Sequence, residues 1–544
     1  MTIKKYINGD VARTKLFNGM KMVADAVSAT AGPGGRTIAI QQPWGATKIT
    51  KDGITVAKAF ELPKEEGEGA KLIIQASEKT GKDAGDGTTN TCIIAKSIAE
   101  EGLKYIDKGC KSTELKRGID YAVRELVAHI KKHSKEITTN DEVKQLATIS
   151  ANGDEEIGSL IAQAIEKVGK YGVVTVEEAK GLNTELEIVE GLQIDQGYLS
   201  PYFMTNLEKQ TVEFDNPLIF LYDGKVNSLK SILPLLEDVS HTGQPLVMIV
   251  DEMDDSALGA LIQNHLKGTL KSCAIKAPSF GDIRKAVMED IAILTGGQFV
   301  SSILGNDLEK IGLSVLGGCS KVKITPNETV IIGGCGQPEA VEERANQIKA
   351  EIENSDSAYD KEKLRERLAK LTSGVAVIRV GAATEVELNE IKDRVDDAVC
   401  ATRAALEEGI LPGGGISLIK AVREIEREVD GYTNLSHDAM KGISIVYKAV
   451  ESQLKAISDN AGKSGEVVVE HVKEYEDFNY GYDARLNRYG DLMEFGIVDA
   501  TKVVRCALEN GASVAGSLLT VEGLLIDDID EIIKMNQLMR QPQM

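Results

Sequence analysis

The densest chemistry lies in residues 83–91, Asp83-Ala84-Gly85-Asp86-Gly87-Thr88-Thr89-Asn90-Thr91. Gly85 and Gly87 open backbone conformations closed to other residues and let a ligand reach the main chain. Thr88, Thr89 and Asn90 suit a helix N-terminus, where free N–H groups and the positive dipole end favour phosphate. Asp86, in the turn itself, offers a carboxylate to Mg²⁺, a hard cation that takes oxygen ligands. The same residues also suit a tight, capped turn with no ligand at all.

Two other glycine-rich turns share this character: Thr30-Ala31-Gly32-Pro33-Gly34-Gly35-Arg36 and Pro412-Gly413-Gly414-Gly415. Lys51-Asp52-Gly53 adds a cation that could face phosphate and a carboxylate that could hold a metal or a water; a solvated turn is the alternative. Phosphate-compatible turns thus occupy both ends of the chain. One nucleotide site built from the two ends, with the middle inserted between them, would explain that order.

Helical periodicity must position these turns. A pattern over 12–29, with Leu16, Met20, Val23 and Val27 at spacings of three and four, leads into the first turn. Strand-like segments follow at 37–40 and 49–56, then helical patterns at 88–107 and 113–135, and at 141–169 with a break around Ser150-Ala151-Asn152-Gly153-Asp154. From Tyr171 the character changes. Residues 173–176 and 186–189 read as strands, and between Gly191 and Gly374 strands alternate with helices. Strands are expected at 218–221, 246–250 and 273–275, and helices at 228–240, 256–267 and 282–295, the signature of an α/β domain. Charged helical stretches at 338–354 and 358–371 read as an exposed antiparallel pair. A strand at 375–380 leads to a helix at 385–408 with an apolar stripe of Ile391, Val395, Val399 and Leu406. Asp397 sits off that stripe. The remainder reads as mostly helical, with loop or short strand at 480–485 and 496–499.

At 544 residues the chain is too long for one ordinary core, so two to four domains are expected. A net charge of −21 argues against a nucleic-acid surface. Seven scattered cysteines without a C-x-x-C pair read as reduced thiols rather than a disulfide or zinc framework. No apolar run approaches the roughly 18 residues of a membrane helix, and the polar start at Met1 does not read as a signal peptide. The expectation is a soluble, intracellular protein.

Taken together, Thr30-Ala31-Gly32-Pro33, Lys51-Asp52-Gly53, Gly85-Asp86-Gly87-Thr88-Thr89, Ala147-Thr148-Ile149-Ser150-Ala151-Asn152, Gly197-Tyr198-Leu199-Ser200-Pro201-Tyr202-Phe203, Lys276-Ala277-Pro278, Val380-Gly381-Ala382-Ala383-Thr384-Glu385 and Gly413-Gly414-Gly415 closely resemble the group I chaperonins, the GroEL family. The resemblance runs in order from about residue 3 to about residue 525. It implies a multidomain α+β fold. A mostly helical equatorial ATP-binding domain would comprise 1–132 and 408–544, an intermediate hinge domain 133–189 and 376–407, and an inserted α/β apical domain 190–375. Gly191 and Gly374 match its hinge positions.

The activity it implies is ATP hydrolysis coupled to the refolding of non-native polypeptides inside a ring-shaped cavity. Expected partners are those polypeptides, a lid-shaped, GroES-like co-chaperonin heptamer, and copies of the chain itself in seven-membered rings, two back to back. Neither nucleic acid nor membrane is expected, and the place is a bacterial-type cytoplasm. Expected cofactors are ATP and Mg²⁺, with K⁺ as a further ion. By the resemblance, Thr30, Ala31, Gly32 and Pro33 would line the phosphates with Lys51 near them. Asp86 would coordinate Mg²⁺, and Gly87, Thr88, Thr89 and Asn90 would cradle the phosphates. Gly414, Asp483, Ala484 and Asp499 would hold ribose and base. Asp397 would orient the attacking water, with Asp52 assisting. Tyr198, Ser200, Tyr202, Phe203, Leu233, Leu236, Leu258 and Ile262 would form an exposed apolar groove for non-native protein.

The sequence departs from that family's pattern at Gln263, at Asp483 and Arg485, at Asn90, at Ser373 and at Ser464 (near Lys455), and its end, residues 538–544, lacks the Gly-Gly-Met repeats. Two other readings stay open: a scaffold of the same architecture without productive ATP cycling, and a small-molecule phosphotransferase using the same turns.

Overall fold

The structure, a computed structural model, describes residues 4–41, 47–137, 139–151, 154–169, 172–179, 181–207, 209–301, 311–354, 357–372, 374–428 and 435–528. Asn152, Gly153, Tyr171, Ser373 and residues 538–544, all singled out above, lie outside them. The chain forms two compact units, Met1–Ser159 with Asp393–Met544, and Leu160–Lys392.

The first unit is a helical assembly around one apolar core. Helix Gly9–Ser28 turns Leu16, Met20, Val23 and Val27 inward, as its spacing predicts. Helices Lys64–Ala84, Thr88–Ile106, Ser112–His133, His437–Ala449 and Thr501–Leu519 complete this core, the last burying apolar and small residues around its whole circumference. Such all-round burial marks a central helix. Strand Lys4–Asn8 pairs antiparallel with Gly523–Asp527, joining the two ends of the described chain. Short ribbons bring in the remaining turns: Ile410–Pro412 pairs with Val498–Ala500, and Tyr480–Asp483 with Arg488–Asp491.

One local expectation is corrected here. The strand read over 49–56 is a strand only at Lys48–Thr50, after which Gly53–Lys58 is a helix. Asp52 explains the switch, because its carboxylate accepts from the Ile54 N–H at 3.3 Å and the Thr55 N–H at 3.0 Å. Two of the orphan donors that open a helix are thereby satisfied. Helix Lys64–Ala84, which the periodicity reading passes over, packs along Gly9–Ser28.

The second unit is built on an eight-stranded mixed sheet. Strands Ser272–Lys276, Leu246–Met253 and Leu218–Val226 run parallel, with Phe299–Val300 parallel to the last. Strands Gly317–Ile324, Thr329–Gly334, Gly191–Ile194 and Val212–Asp215 extend it antiparallel. Helices Leu233–Thr242, Asp255–Leu266 and Gly281–Thr295 contribute to its apolar core, and Pro338–Asn354 packs with Ala358–Thr372 as expected. A separate three-stranded sheet places Val375–Val380 between Val173–Glu178 and Glu185–Val189.

Candidate functional site

In the helical unit, helix Lys64–Ala84 ends at Gly85 with φ 77° and helix Thr88–Ile106 starts after Gly87 with φ 86°. Both are left-handed conformations that favour glycine, and a Cβ on Gly85 would lie 2.2 Å from the Cβ of Cys400. That contact sets helix Glu385–Glu408 against the turn, and Asp397 stands on this helix one turn before Cys400. No side chain caps Thr88–Ile106. The first N–H groups of that helix are therefore available to an anion, with the dipole behind them.

A buried polar network anchors this helix start. The Thr80 and Thr91 hydroxyls lie 2.8 Å apart, and the Asn510 amide donates to Thr80 at 3.0 Å. Ser77 donates its hydroxyl to the Thr88 carbonyl at 3.1 Å. The first glycine turn is held likewise. Thr30 donates to the Val27 carbonyl at 2.8 Å, and the Asn460 amide donates to the Ser28 and Ala31 carbonyls at 2.9 and 3.0 Å. Thr30 and Ala31 are buried, whereas Gly32 takes a left-handed conformation and Pro33 is exposed. Lys51 is exposed beside Asp52. Neither Asn460 nor Asn510 is distinguishable by local spacing, since their partners lie far away in sequence.

The third turn completes the set. The Gly413 N–H donates to the Ile497 carbonyl at 2.9 Å, and Asp499 pairs in register with Leu411. Gly414, with φ 67°, faces the Tyr482 carbonyl and Leu492, and Ala484 packs against the same apolar cluster. Asp483 is buried, and its carboxylate is committed to its own hairpin. It accepts from the Arg485 N–H at 3.0 Å, the Leu486 N–H at 3.1 Å and the Arg488 guanidinium at 3.0 Å.

Four carboxylates from both ends of the chain act on one another here. Burial pushes Asp86 up, the Gly87 N–H pulls it down, and the nearby Asp52 charge raises it again. Asp397 is raised well above the usual carboxylate range by burial first, then by the charges of Asp86 and Asp52. Asp499 is pushed up to about 7 by burial and by Asp86. Asp86 and Asp397 nevertheless keep solvent-exposed surface, and Asp499 is half-exposed. Carboxylates crowded by protein yet open to water line a cleft rather than a core. Repelling carboxylates in a crowded cleft favour a bound cation. The donors present therefore fit Mg²⁺, with Asp86 in the turn as its ligand, and the uncapped helix start beside them fits phosphate.

The residues expected to form an apolar groove lie in the second unit, and the structure corrects three of them. Phe203 is 0% and Leu236 6% exposed, and Ser200 is buried as well, so these three belong to the interior. The short turn Pro201–Phe203 sends its neighbouring side chains opposite ways. Phe203 packs edge-on against His265, while Tyr202 is 67% exposed. Leu233 opens its helix and is 47% exposed, whereas Leu235, Leu236 and Val239 are buried in the apolar core of the unit. Tyr198, Leu258 and Ile262 are half-buried on the edge of the core. Of the eight residues expected in the groove, Tyr202 and Leu233 are thus the exposed ones, with Tyr198, Leu258 and Ile262 half-buried.

The sequence model described as the TCP-1/cpn60 chaperonin family matches residues 23–529. Among solved structures, the chaperonin gp146 from the bacteriophage EL 2 (Pseudomonas aeruginosa), determined in the presence of ATP-BeFx, shares the fold at a TM-score of 0.71. It is 23% identical, and the match covers 96% of this chain and 99% of that one.

Proposed function

Because the chain belongs to the TCP-1/cpn60 chaperonin family, we propose that it is an ATP-hydrolysing folding machine of the group I, GroEL type. The observation that carries this reading is the cluster of Asp52, Asp86, Asp397 and Asp499 beside the uncapped start of helix Thr88–Ile106. Phosphoryl transfer to water needs little covalent help. It needs a cation on the phosphate oxygens, backbone donors around them and a group that orients the water. Asp86 would hold the Mg²⁺ that supplies the first, a counter-charge for the phosphate oxygens. The Gly87–Asn90 main chain and the turn at Thr30–Pro33 supply the second, with Lys51 nearby. Asp397, assisted by Asp52, orients the water and accepts its proton. Gly414, Ala484, Asp499 and the Asp483 main chain receive ribose and base, and K⁺ is the further ion.

In this reading residues 1–132 with 408–544 form the ATP-binding part, 133–189 with 376–407 the hinge, and 190–375 the part that meets non-native protein and a heptameric lid. Tyr202 and Leu233 carry the capture of clients. The chain works in a bacterial-type cytoplasm as paired seven-membered rings. A ring of seven 58.6 kDa chains weighs about 410 kDa and a pair about 820 kDa.

The test is Mg²⁺-dependent ATP turnover and refolding of a denatured client, with Asp397→Ala as control and native mass by light scattering. Turnover and refolding that collapse together in Asp397→Ala support the reading. Equal turnover in both proteins would remove the proposed mechanism and leave the scaffold alternative.

A further inference from the structure

Helix Ser112–His133 ends in His129-Ile130-Lys131-Lys132-His133, two imidazoles one turn apart and therefore on one face. Glu424, on helix Ile416–Glu428, meets them both. Its Oε2 lies 2.6 Å from His129 Nε2 and 2.8 Å from His133 Nε2. His129 is buried, and His133 stacks on Phe478 with ring centroids 4.0 Å apart and planes 3° from parallel, which fixes its orientation. His133 and Glu424 each keep about a third of their side-chain surface open to solvent, at 33% and 30%. Among the described residues this is the only group of three or more His, Cys, Asp and Glu side chains whose ligand atoms all lie within 4.8 Å of one another. None of the three belongs to the acidic cleft or to the turns around it.

We propose that His129, His133 and Glu424 form a binding site for a divalent transition-metal ion of the zinc class, clipping the end of helix Ser112–His133 to helix Ile416–Glu428. Two imidazole nitrogens and one carboxylate suit Zn²⁺ and its neighbours, whereas Mg²⁺ and Ca²⁺ take oxygen donors throughout. Histidines four apart on a helix present both Nε2 atoms to one ion, the spacing used by helical zinc sites. With bonds of about 2.0–2.1 Å, a tetrahedral ion holds its ligand atoms roughly 3.3 Å apart. Glu424 must therefore retreat by about half an ångström from its present hydrogen-bonded position, a shift its solvent-facing side permits. That same open side leaves the fourth position to water. The buried His129 and the stacked His133 give the ion a rigid half-site, and one carboxylate balances half of its charge.

The experiment uses the full chain, stripped with chelator, kept free of nucleotide and held in excess Mg²⁺ so that the acidic cleft is occupied, with Co²⁺ as the visible probe and Zn²⁺ as its competitor. The expected result is one equivalent of Co²⁺ per chain, displaced by Zn²⁺. Its visible bands should be those of nitrogen and oxygen ligands, without the near-ultraviolet thiolate bands that Cys335 or Cys400, both exposed, would give. Glu424→Gln and His133→Asn should each weaken binding by at least about tenfold, the worth of one charged contact. Asp86→Ala should leave it unchanged. Thiolate bands, unchanged affinity in both cluster variants, or loss of binding in Asp86→Ala would each place the ion elsewhere and overturn the proposal. Absence of saturable binding up to about 100 μM, a free energy near −5.5 kcal/mol, would overturn it too, leaving the three residues as a hydrogen-bonded clasp. Should the variants fail to fold, the spectrum of the unaltered chain decides between imidazole and thiolate ligation by itself.

Discussion

The helical unit contains two groups of ionisable side chains with opposite electrostatic character. Around Asp86 four carboxylates face one another, and the three whose shift is marked are all displaced upward, against ionisation. Around Glu424 the arrangement is complementary. Burial pulls that carboxyl upward, but the His129 hydrogen bond and the His133 charge outweigh it and hold Glu424 below its ordinary range. The first group is at odds with itself until a cation arrives. The second is already satisfied by its own members. Frustration in a cleft marks a site whose ligand completes the charge balance, while internal satisfaction marks a cluster that also holds structure together.

The largest effect is expected at Asp397. Asp397→Ala should lower the ATP turnover number by about 10²-fold or more, the usual worth of a group that handles the water proton. Nucleotide affinity, measured by a fluorescent analogue, should change by no more than a few-fold. A comparable loss of affinity would mean that Asp397 serves binding instead. At Asp86 the pattern reverses: Asp86→Ala should weaken Mg²⁺-dependent nucleotide binding by about tenfold or more, and added Mg²⁺ should no longer tighten it. Equilibrium titration with and without EDTA reads this directly.

The satisfied cluster should respond in stability rather than in turnover. In chelator, Glu424→Gln should lower unfolding stability by about 1 kcal/mol, with ATP turnover nearly unchanged. Denaturant titration gives that number, and a stabilised variant would show the cluster to be as frustrated as the cleft. The smallest effect is a slope. Asp499 is held near 7 in the folded protein but titrates near 3.8 when free. Between those values the unfolded chain has released its proton while the folded protein retains it. Stability of the metal-free protein therefore falls as pH rises through this window and levels off above it. Asp499→Asn should flatten the fall, so thermal unfolding at pH 5 and pH 8 should differ less in the variant than in the unaltered chain. Mg²⁺–nucleotide, which favours the ionised form, should bind more weakly as pH drops below 7.

Much of this was legible in the residues, and what was not has a physical reason. The helix after Gly87 is written in local sequence, because left-handed glycines act within a few positions, whereas the Asp52 cap that opens helix Gly53–Lys58 was passed over in favour of a strand. Helix Lys64–Ala84 escaped the periodicity reading because its buried face is made of Gly67, Gly69, Ala70, Ala76 and Ser77 with a single large aliphatic, Ile73. A stripe of small residues allows close helix approach but carries little hydrophobic signal. In the sheet unit three of the parallel strands, Leu218–Val226, Leu246–Met253 and Ser272–Lys276, contain apolar runs and were recognisable, whereas the two-residue Phe299–Val300 was not. Gly317–Ile324 was not, because its inward positions alternate with Ser320, Lys321 and Lys323, the pattern of a strand with one face near solvent. Leu233 and Leu236 show the limit of spacing arguments. A separation of three places two side chains near one face, but only tertiary packing decides which of them is covered. The acidic cleft depended on pairings across hundreds of residues. The local sequence offered Asp52 and Asp86 singly, the resemblance to a known family added Asp397 and Asp499, and the structure brings all four into one field. His129 and His133 stand one turn apart in plain view, but Glu424 is 295 residues from His129.

The pairing of Lys4–Asn8 with Gly523–Asp527, together with the central helix Thr501–Leu519, has a consequence for how the chain is made. Synthesis proceeds at about 5–20 residues per second, so the helices ending at Ile106 and His133 emerge on the order of tens of seconds before the helix that completes their core. Leu160–Lys392, contiguous in the chain, can finish folding in that interval. The helical unit cannot. Its early helices emerge before all the partners that cover Ile94, Ile98, Leu115 and Ile119 in the finished core, so each newborn copy is itself a candidate for the protection against aggregation that its finished siblings are proposed to give.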